Sequence, residues 1–309
     1  MQQTSGVHRV GIDVPNIIIR RLVFFLFTVL ATANGFADEE PVDVIYPNIN
    51  GLGDTSYGYA VLKLALDASH KPYRLSLNTK SANNNRIRKM LSEGQITVAD
   101  FGTSMSFEND FNAVLVPLDY GISGWRLLAM HKANLHLSAK INTVTDLEVL
   151  TLGQGTGWSD VDILNNAGLS VLTAPKLSHL FRMLEAKRFE AIPLGANEIY
   201  SLLDSYQDQA ASVAIEPSLL IVYPFARLFF VNKENVRLHG ILQAGLENAF
   251  ADGSLWKLFR NHPQNTALFD KAGLQDRRII KIDYDILKKH LDKIPQEYFL
   301  SIDDLKPPE

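Results

Sequence analysis

Apolar residues at Tyr57, Ala60, Val61, Leu64, Ala65 and Ala68 recur at the three-and-four spacing that lines one face of a helix. Thr55 or Ser56, just before the run, supplies an N-cap hydroxyl. Val42-Asp43-Val44-Ile45-Tyr46 precedes this helix as a short strand, and Tyr73-Arg74-Leu75-Ser76-Leu77 follows it with strand alternation. Ile87, Met90 and Leu91 mark a second helix that stops at Gly94, and Ile96-Thr97-Val98-Ala99 returns as a strand. The order β-loop-α-β-α-β predicts an open, mainly parallel sheet, whose ligands sit beyond the carboxyl ends of its strands.

The same theme then repeats without a close sequence repeat. Leu115-Val116-Pro117-Leu118 and Trp125 to Met130 read as buried extended segments, and Thr145-Asp146-Leu147 opens a short helix. Val171-Leu172 is a strand, Ser178 caps a helix bearing Leu180, Phe181 and Leu184, and Phe189 to Ile192 is a strand again. A helix with Ile199, Leu202 and Leu203 leads to the β-rich stretches Val213 to Glu216 and Leu219 to Tyr223. Arg227 to Val231 is a strand, and two helices follow, divided at Asp252-Gly253. No linker rich in Pro, Ser or Gly interrupts this order, so the chain is expected to leave a first lobe, build a second, and come back.

The densest chemical signal is Leu150-Thr151-Leu152-Gly153-Gln154-Gly155-Thr156-Gly157-Trp158-Ser159-Asp160. A strand there meets a glycine loop and then a helix start, whose unpaired N-H groups and positive dipole end suit a small, anionic ligand. Gly155, Thr156, Gly157 and Trp158 are therefore candidate ligand contacts, with the indole offering a flat apolar face. The plainer alternative is a turn that needs glycine for its backbone angles alone. The spacing fits neither G-x-G-x-x-G nor a P-loop, which argues against nucleotide binding.

Other candidates stand at neighbouring strand ends. Thr103 and Ser104, with Ser106, form a hydroxyl cluster after the third strand, able to meet a ligand or to satisfy its own turn. Arg126 lies inside an apolar run and needs a carboxylate partner, from the fold or from a ligand. Asp54 and Tyr57 flank the first polar loop; Gly195 and Glu198 lie in the loop after Phe189 to Ile192. Glu190, Glu198 and Asp54 show no partner that would make an acid–base pair, so no catalytic constellation is present and no cofactor is implied. His131 and His136 lack a third ligand spaced with them, and no metal site is expected.

Composition narrows the setting. Arg20-Arg21, the uncharged run Leu22 to Ala31 and the small residues of Gly35-Phe36-Ala37 read as a cleaved export signal over residues 1–37, an uncleaved anchor being the alternative. The mature protein is then expected in the periplasm from Asp38. The whole chain carries −4 at pH 7 and the leader is net positive, so the remainder is more acidic still, which disfavours nucleic acid as a partner. Without cysteine there is no disulfide framework, thiolate metal site or thiol nucleophile.

The strand, polar loop and helix from Val44 to Ser69, the stretch Leu91 to Asp100, Thr145-Asp146-Leu147 before the glycine loop, and Leu246 to Ser254 occur in an order that resembles the type 2 periplasmic solute-binding proteins. That family includes the polar amino-acid receptors of ABC importers. Gly155 to Asp160, Leu180 to Leu184 and Tyr223-Pro224 more narrowly resemble a marine gammaproteobacterial subgroup of it. The resemblance implies two α/β lobes joined by a two-segment hinge, here residues 38–131 plus 224–309 and residues 132–223. It implies a monomer that closes on a small polar or anionic solute and then meets a membrane permease or, alternatively, a signalling receptor. An enzyme on this fold, a dehydratase or transglycosylase, is the remoter reading. The family's carboxylate-clamping arginine has Asn109 in its place, and Leu194-Gly195 stands where the acidic residue for the ammonium would be. Tight binding of free α-amino acids is therefore not expected, and Arg126 is not expected to reach the cleft.

Overall fold

The computed structural model describes residues 39–49 and 51–305, so the export signal and Asp38 lie outside the described residues. In chain order the elements are β1 (Val42–Ile49), α1 (Tyr57–Ala68), β2 (Tyr73–Ala82), α2 (Asn84–Ser92), β3 (Val98–Gly102), α3 (Met105–Asp110), β4 (Phe111–Ala113) and β5 (Trp125–His131). Then come β6 (Thr151–Gly155), α4 (Asp160–Asn166), β7 (Ser170–Ala174), α5 (Leu177–Glu185), β8 (Ala191–Gly195), α6 (Ile199–Ser205), β9 (Val213–Ile215) and β10 (Leu219–Val222). β11 (Arg227–Asn232), α7 (Val236–Ala251), α8 (Ser254–Asn261), α9 (Thr266–Asp270), β12 (Arg278–Lys281) and α10 (Asp285–Leu291) complete the described chain.

The predicted order of elements is present, but its strands do not form one mainly parallel sheet, because β3 pairs antiparallel with β11. β1 and β2 pair in parallel, and Ile45 ties β1 to the start of β3 through its N-H to Thr97 Oγ1 (2.8 Å) and its carbonyl to the Thr97 N-H (3.0 Å). Ser56 rather than Thr55 caps α1, accepting from the Tyr59 N-H at 3.3 Å. β3 and β4 flank β11 antiparallel, so the chain returns to the first region after building the second. The second region is a sheet in the order β12-β10-β5-β8-β6-β7, with β9 also on β5. Along β5, Leu127 and Ala129 join one buried cluster and Leu128 and Met130 another, so this sheet is covered on both faces.

Two details differ from the sequence reading. β5 and β12, counted there with the first lobe, hydrogen-bond in the second sheet, because Arg126 to Met130 pair with β8 and Leu219 to Val222 pair with β12. α5 begins at Leu177 without a side-chain cap, so Ser178 sits inside the helix instead of ahead of it. Among the described residues no helix is long and apolar enough to cross a membrane.

Candidate functional site

Strand ends from both regions converge on one cavity of about 490 Å³. The tip of β1, the end of β3 and the start of β11 supply Ile49, Asp100, Gly102 and Arg227; the second region supplies Arg126, Trp158, Asp160 and Glu198. This is the edge that an open α/β sheet offers to ligands, and the volume suits a small organic molecule. Ser159 Oγ donates to the Gly102 carbonyl at 2.9 Å across the two regions.

Arg126 is the buried centre of the site. Its Nη2 lies 2.6 Å from Asp160 Oδ1, both side chains being 5% exposed, and its Nη1 lies 3.8 Å from Glu198 Oε1. The guanidinium sits 4.8 Å from the Phe225 ring centroid and 5.4 Å from that of Tyr223, whose hydroxyl donates to Asp160. Burial alone would lower the Arg126 pKa, but Asp160, Tyr223 and Glu198 around it raise it, so it stays charged. Burial and, secondly, the neighbouring carboxylate push the Tyr46 and Tyr57 hydroxyls well up; Tyr46 donates to Asp100, which also pairs with Arg227. Behind Ser123, buried Asp119 is pushed up by desolvation. Its Oδ1 and Arg126 Nε are buried without a protein hydrogen-bond partner. His262 is held below its usual value by burial and then by Arg227.

Of the residues singled out from sequence, the cavity brings together Arg126, Trp158 and Glu198. The others serve elsewhere. Asp54 is exposed in the 3-10 turn before α1, and Tyr57 is fully buried with its hydroxyl on the Leu118 carbonyl at 2.5 Å. Thr103 Oγ1 accepts from the Ala226 N-H at 3.1 Å, and Ser104 caps α3 through the Phe107 N-H at 3.3 Å; these hydroxyls satisfy their own fold. Gly195 donates its N-H to Glu198 Oε1 at 3.3 Å and does not line the cavity.

In the glycine loop, groups that the sequence offers to an anion are engaged within the fold. α4 is seven residues long and carries Asp160 and Asp162 in its first turn, which sets negative charge beside its positive end. Thr156 spends its N-H on the Ala174 carbonyl and Trp158 on that of Gly155. The glycines seat side chains instead. A Cβ on Gly153 would fall 2.3 Å from the Phe189 ring, and one on Gly155 would fall 2.2 Å from the Trp158 indole. Gly157, at φ +83°, has Asn85 against it.

Arg126 does reach the cavity, contrary to expectation, because β5 runs in the second sheet and opens its first residues toward the strand ends. Asn109 is exposed and lines a separate surface groove with Arg88, so the position that carries the family's arginine lies off this cavity. Sequence reading missed Asp100, Asp160 and Arg227. Arg227 opens an apolar strand much as Arg126 does, and the same rule for a charge in an apolar run would have found it. His131 and His136 are engaged with the backbone of Ala133.

No family model matches the chain, and no curated protein does. Solved structures do. A histidine kinase sensor domain with similarity to periplasmic binding proteins is 11% identical at a TM-score of 0.56, over 73% of this chain and 97% of that one. An ancestral arginine-binding protein bound to arginine is 16% identical at 0.52, over 72% and 98%. The GluR0 ligand-binding core from Nostoc punctiforme in complex with L-glutamate is 14% identical at 0.52, over 72% and 100%. The fold is the α/β type II periplasmic-binding-protein fold.

Proposed function

We propose that the chain is a periplasmic solute-binding protein that holds a small polar organic molecule between two lobes and delivers it to an ABC-type permease. The observation that carries this reading is the cavity at the converging strand ends, built around the buried Arg126 and its two carboxylates. The lobes meet near Gly124 and the stretch Tyr223 to Ala226, where the chain passes between the sheets. Arg126 on β5, Trp158 and Glu198 are the ligand contacts among the sequence candidates, and Ser159 on Gly102 is one of the links between the lobes.

Structural relatives named as arginine-binding proteins and ABC-transporter substrate-binding proteins support a transport role. The likeness to a histidine kinase sensor domain supports the alternative of a receptor as the membrane partner. Binding, rather than catalysis, is the reading for either partner. A thermal-shift screen of polar solutes tests it, since a ligand at 100 times its Kd adds about 2.7 kcal/mol of stability, which moves the midpoint by several degrees in a chain of this size. Free α-amino acids are expected to give no such shift, because Arg126 and Arg227 are already paired with carboxylates of the protein. A screen across solute classes with no shift overturns the binding reading.

A further inference from the structure

We infer that the solute is an organic cation with an apolar body, and not an anion; this rests on the solute-binding reading above. The charges lining the cavity are two guanidiniums, Arg126 and Arg227, and three carboxylates, Asp100, Asp160 and Glu198. Both guanidiniums are committed: Arg126 to Asp160 at 2.6 Å and Arg227 to Asp100. That leaves Glu198. It lies 3.8 Å from Arg126 and accepts one long hydrogen bond from the Gly195 N-H at 3.3 Å on the same oxygen, Oε1. Its Oε2 is uncommitted, and the side chain is 29% exposed at the cavity wall.

The uncommitted charge of the site is thus negative. With two guanidiniums already balanced by Asp160 and Asp100, an anionic solute would either compete with those aspartates or add its charge to a lining that is already net negative, at a cost in either case. A cation meets Glu198 without breaking either pair. His262, the histidine on the wall, is held below its usual value by burial and by Arg227, so it adds no positive charge near neutral pH.

The wall also specifies a body. Trp158 and Phe225 line the cavity, and each ring is seated against a glycine backbone where a Cβ would intrude: Gly155 at 2.2 Å and Gly102 at 2.0 Å. Leu177, Leu202 and Tyr206 extend the apolar surface from the second region, and Leu52, 49% exposed, extends it from the first. Such a surface gains little from a small, wholly polar solute and gains by burying an apolar or aromatic one.

Isothermal titration of the purified protein with tryptamine and with indole-3-propionate tests this, since the two share a ring and differ mainly in the sign of the side-chain charge. Tryptamine is expected to bind at least about tenfold more tightly, a modest demand on one ion pair near a protein surface. In Glu198→Gln the preference should fall to within about twofold, while the melting temperature without ligand stays close to that of the parent. Equal or tighter binding of indole-3-propionate overturns the inference, as does an unchanged preference in Glu198→Gln. If neither indole binds, the inference also fails; the broader screen decides separately whether the protein binds solutes at all.

Discussion

Arg126 and Arg227 stand at the starts of apolar strands in different sheets and each pairs with one aspartate, yet the two pairs do different work. Arg227 and Asp100 sit diagonally on adjacent antiparallel strands, since β11 and β3 align Arg227 with Gly102 and Phe229 with Asp100. That pair stitches one sheet. Arg126 on β5 pairs with Asp160 at the first turn of α4, and its ring partners Tyr223 and Phe225 stand where the chain leaves the second sheet. That pair ties a strand, a helix start and the connection between the two regions. The surroundings differ too: Arg126 is 5% exposed and Arg227 19%. One ion pair is part of a strand ladder, and the other organises the wall of the cavity.

The largest expected effect breaks the deeper pair. Asp160→Ala leaves the Arg126 guanidinium without its main partner and the Tyr223 hydroxyl without an acceptor, so a loss of about 3 to 5 kcal/mol is expected in urea unfolding. Asp100→Ala likewise leaves the Tyr46 hydroxyl without its acceptor, but it should cost less, about 1 to 3 kcal/mol, because Arg227 reaches solvent and can rehydrate. An equal or larger loss in Asp100→Ala would erase the distinction drawn between the pairs.

A smaller effect concerns the aromatic wall. Gly155→Ala puts a methyl where the Trp158 indole lies and must move the ring, at a cost of about 1 to 3 kcal/mol from overpacking. Its emission should shift to longer wavelength as the ring leaves its seat. Trp158→Ala should weaken solute binding by about 1 to 3 kcal/mol if the ring packs on the solute. Unaltered affinity in that variant would leave Trp158 as packing and place recognition on Glu198 and the rest of the apolar wall.

Much of this fold was legible because helix and strand periods are local. The α1 face and its cap, and the alternation of β-strands with helices, follow from residue spacing. The β5 and β12 memberships do not, because strand pairing is a long-range choice: β5 is apolar enough for either sheet, and Arg278 to Lys281 is too short and too charged to show a strand period. At the site, Arg126 was legible as a charge in need of a carboxylate, but its partner lies 34 positions away at Asp160 and only the fold brings them together. Thr103 and Ser104 stayed ambiguous because a hydroxyl at a strand end has two uses, and here each accepts from a backbone N-H. The glycine loop stayed ambiguous for a different reason. Glycine allows close approach by anything, and here the approaching groups are Phe189, Trp158 and Asn85.

The smallest effect is a matter of slope. Asp119 is fully buried, accepts from Ser123 on Oδ2 and has no partner on Oδ1, and desolvation raises its pKa although Ser123 and Arg227 oppose the rise. A carboxyl whose folded pKa exceeds its unfolded value contributes stability that is complete below the ordinary carboxylate range and lost as pH rises through the folded value. Asp119→Asn removes that titration while its amide oxygen can still accept from Ser123. The new amide N-H groups bring an unmet donor into the same buried space, so the variant need not be more stable at any one pH. Its melting temperature minus that of the parent should nevertheless climb between pH 4 and pH 8, because only the parent loses stability over that range from this group. Melts at matched ionic strength decide the matter: a difference that is flat or falls with pH would mean that Ser123 and Arg227, and not desolvation, govern Asp119, and that the carboxyl behind Ser123 is held ionised.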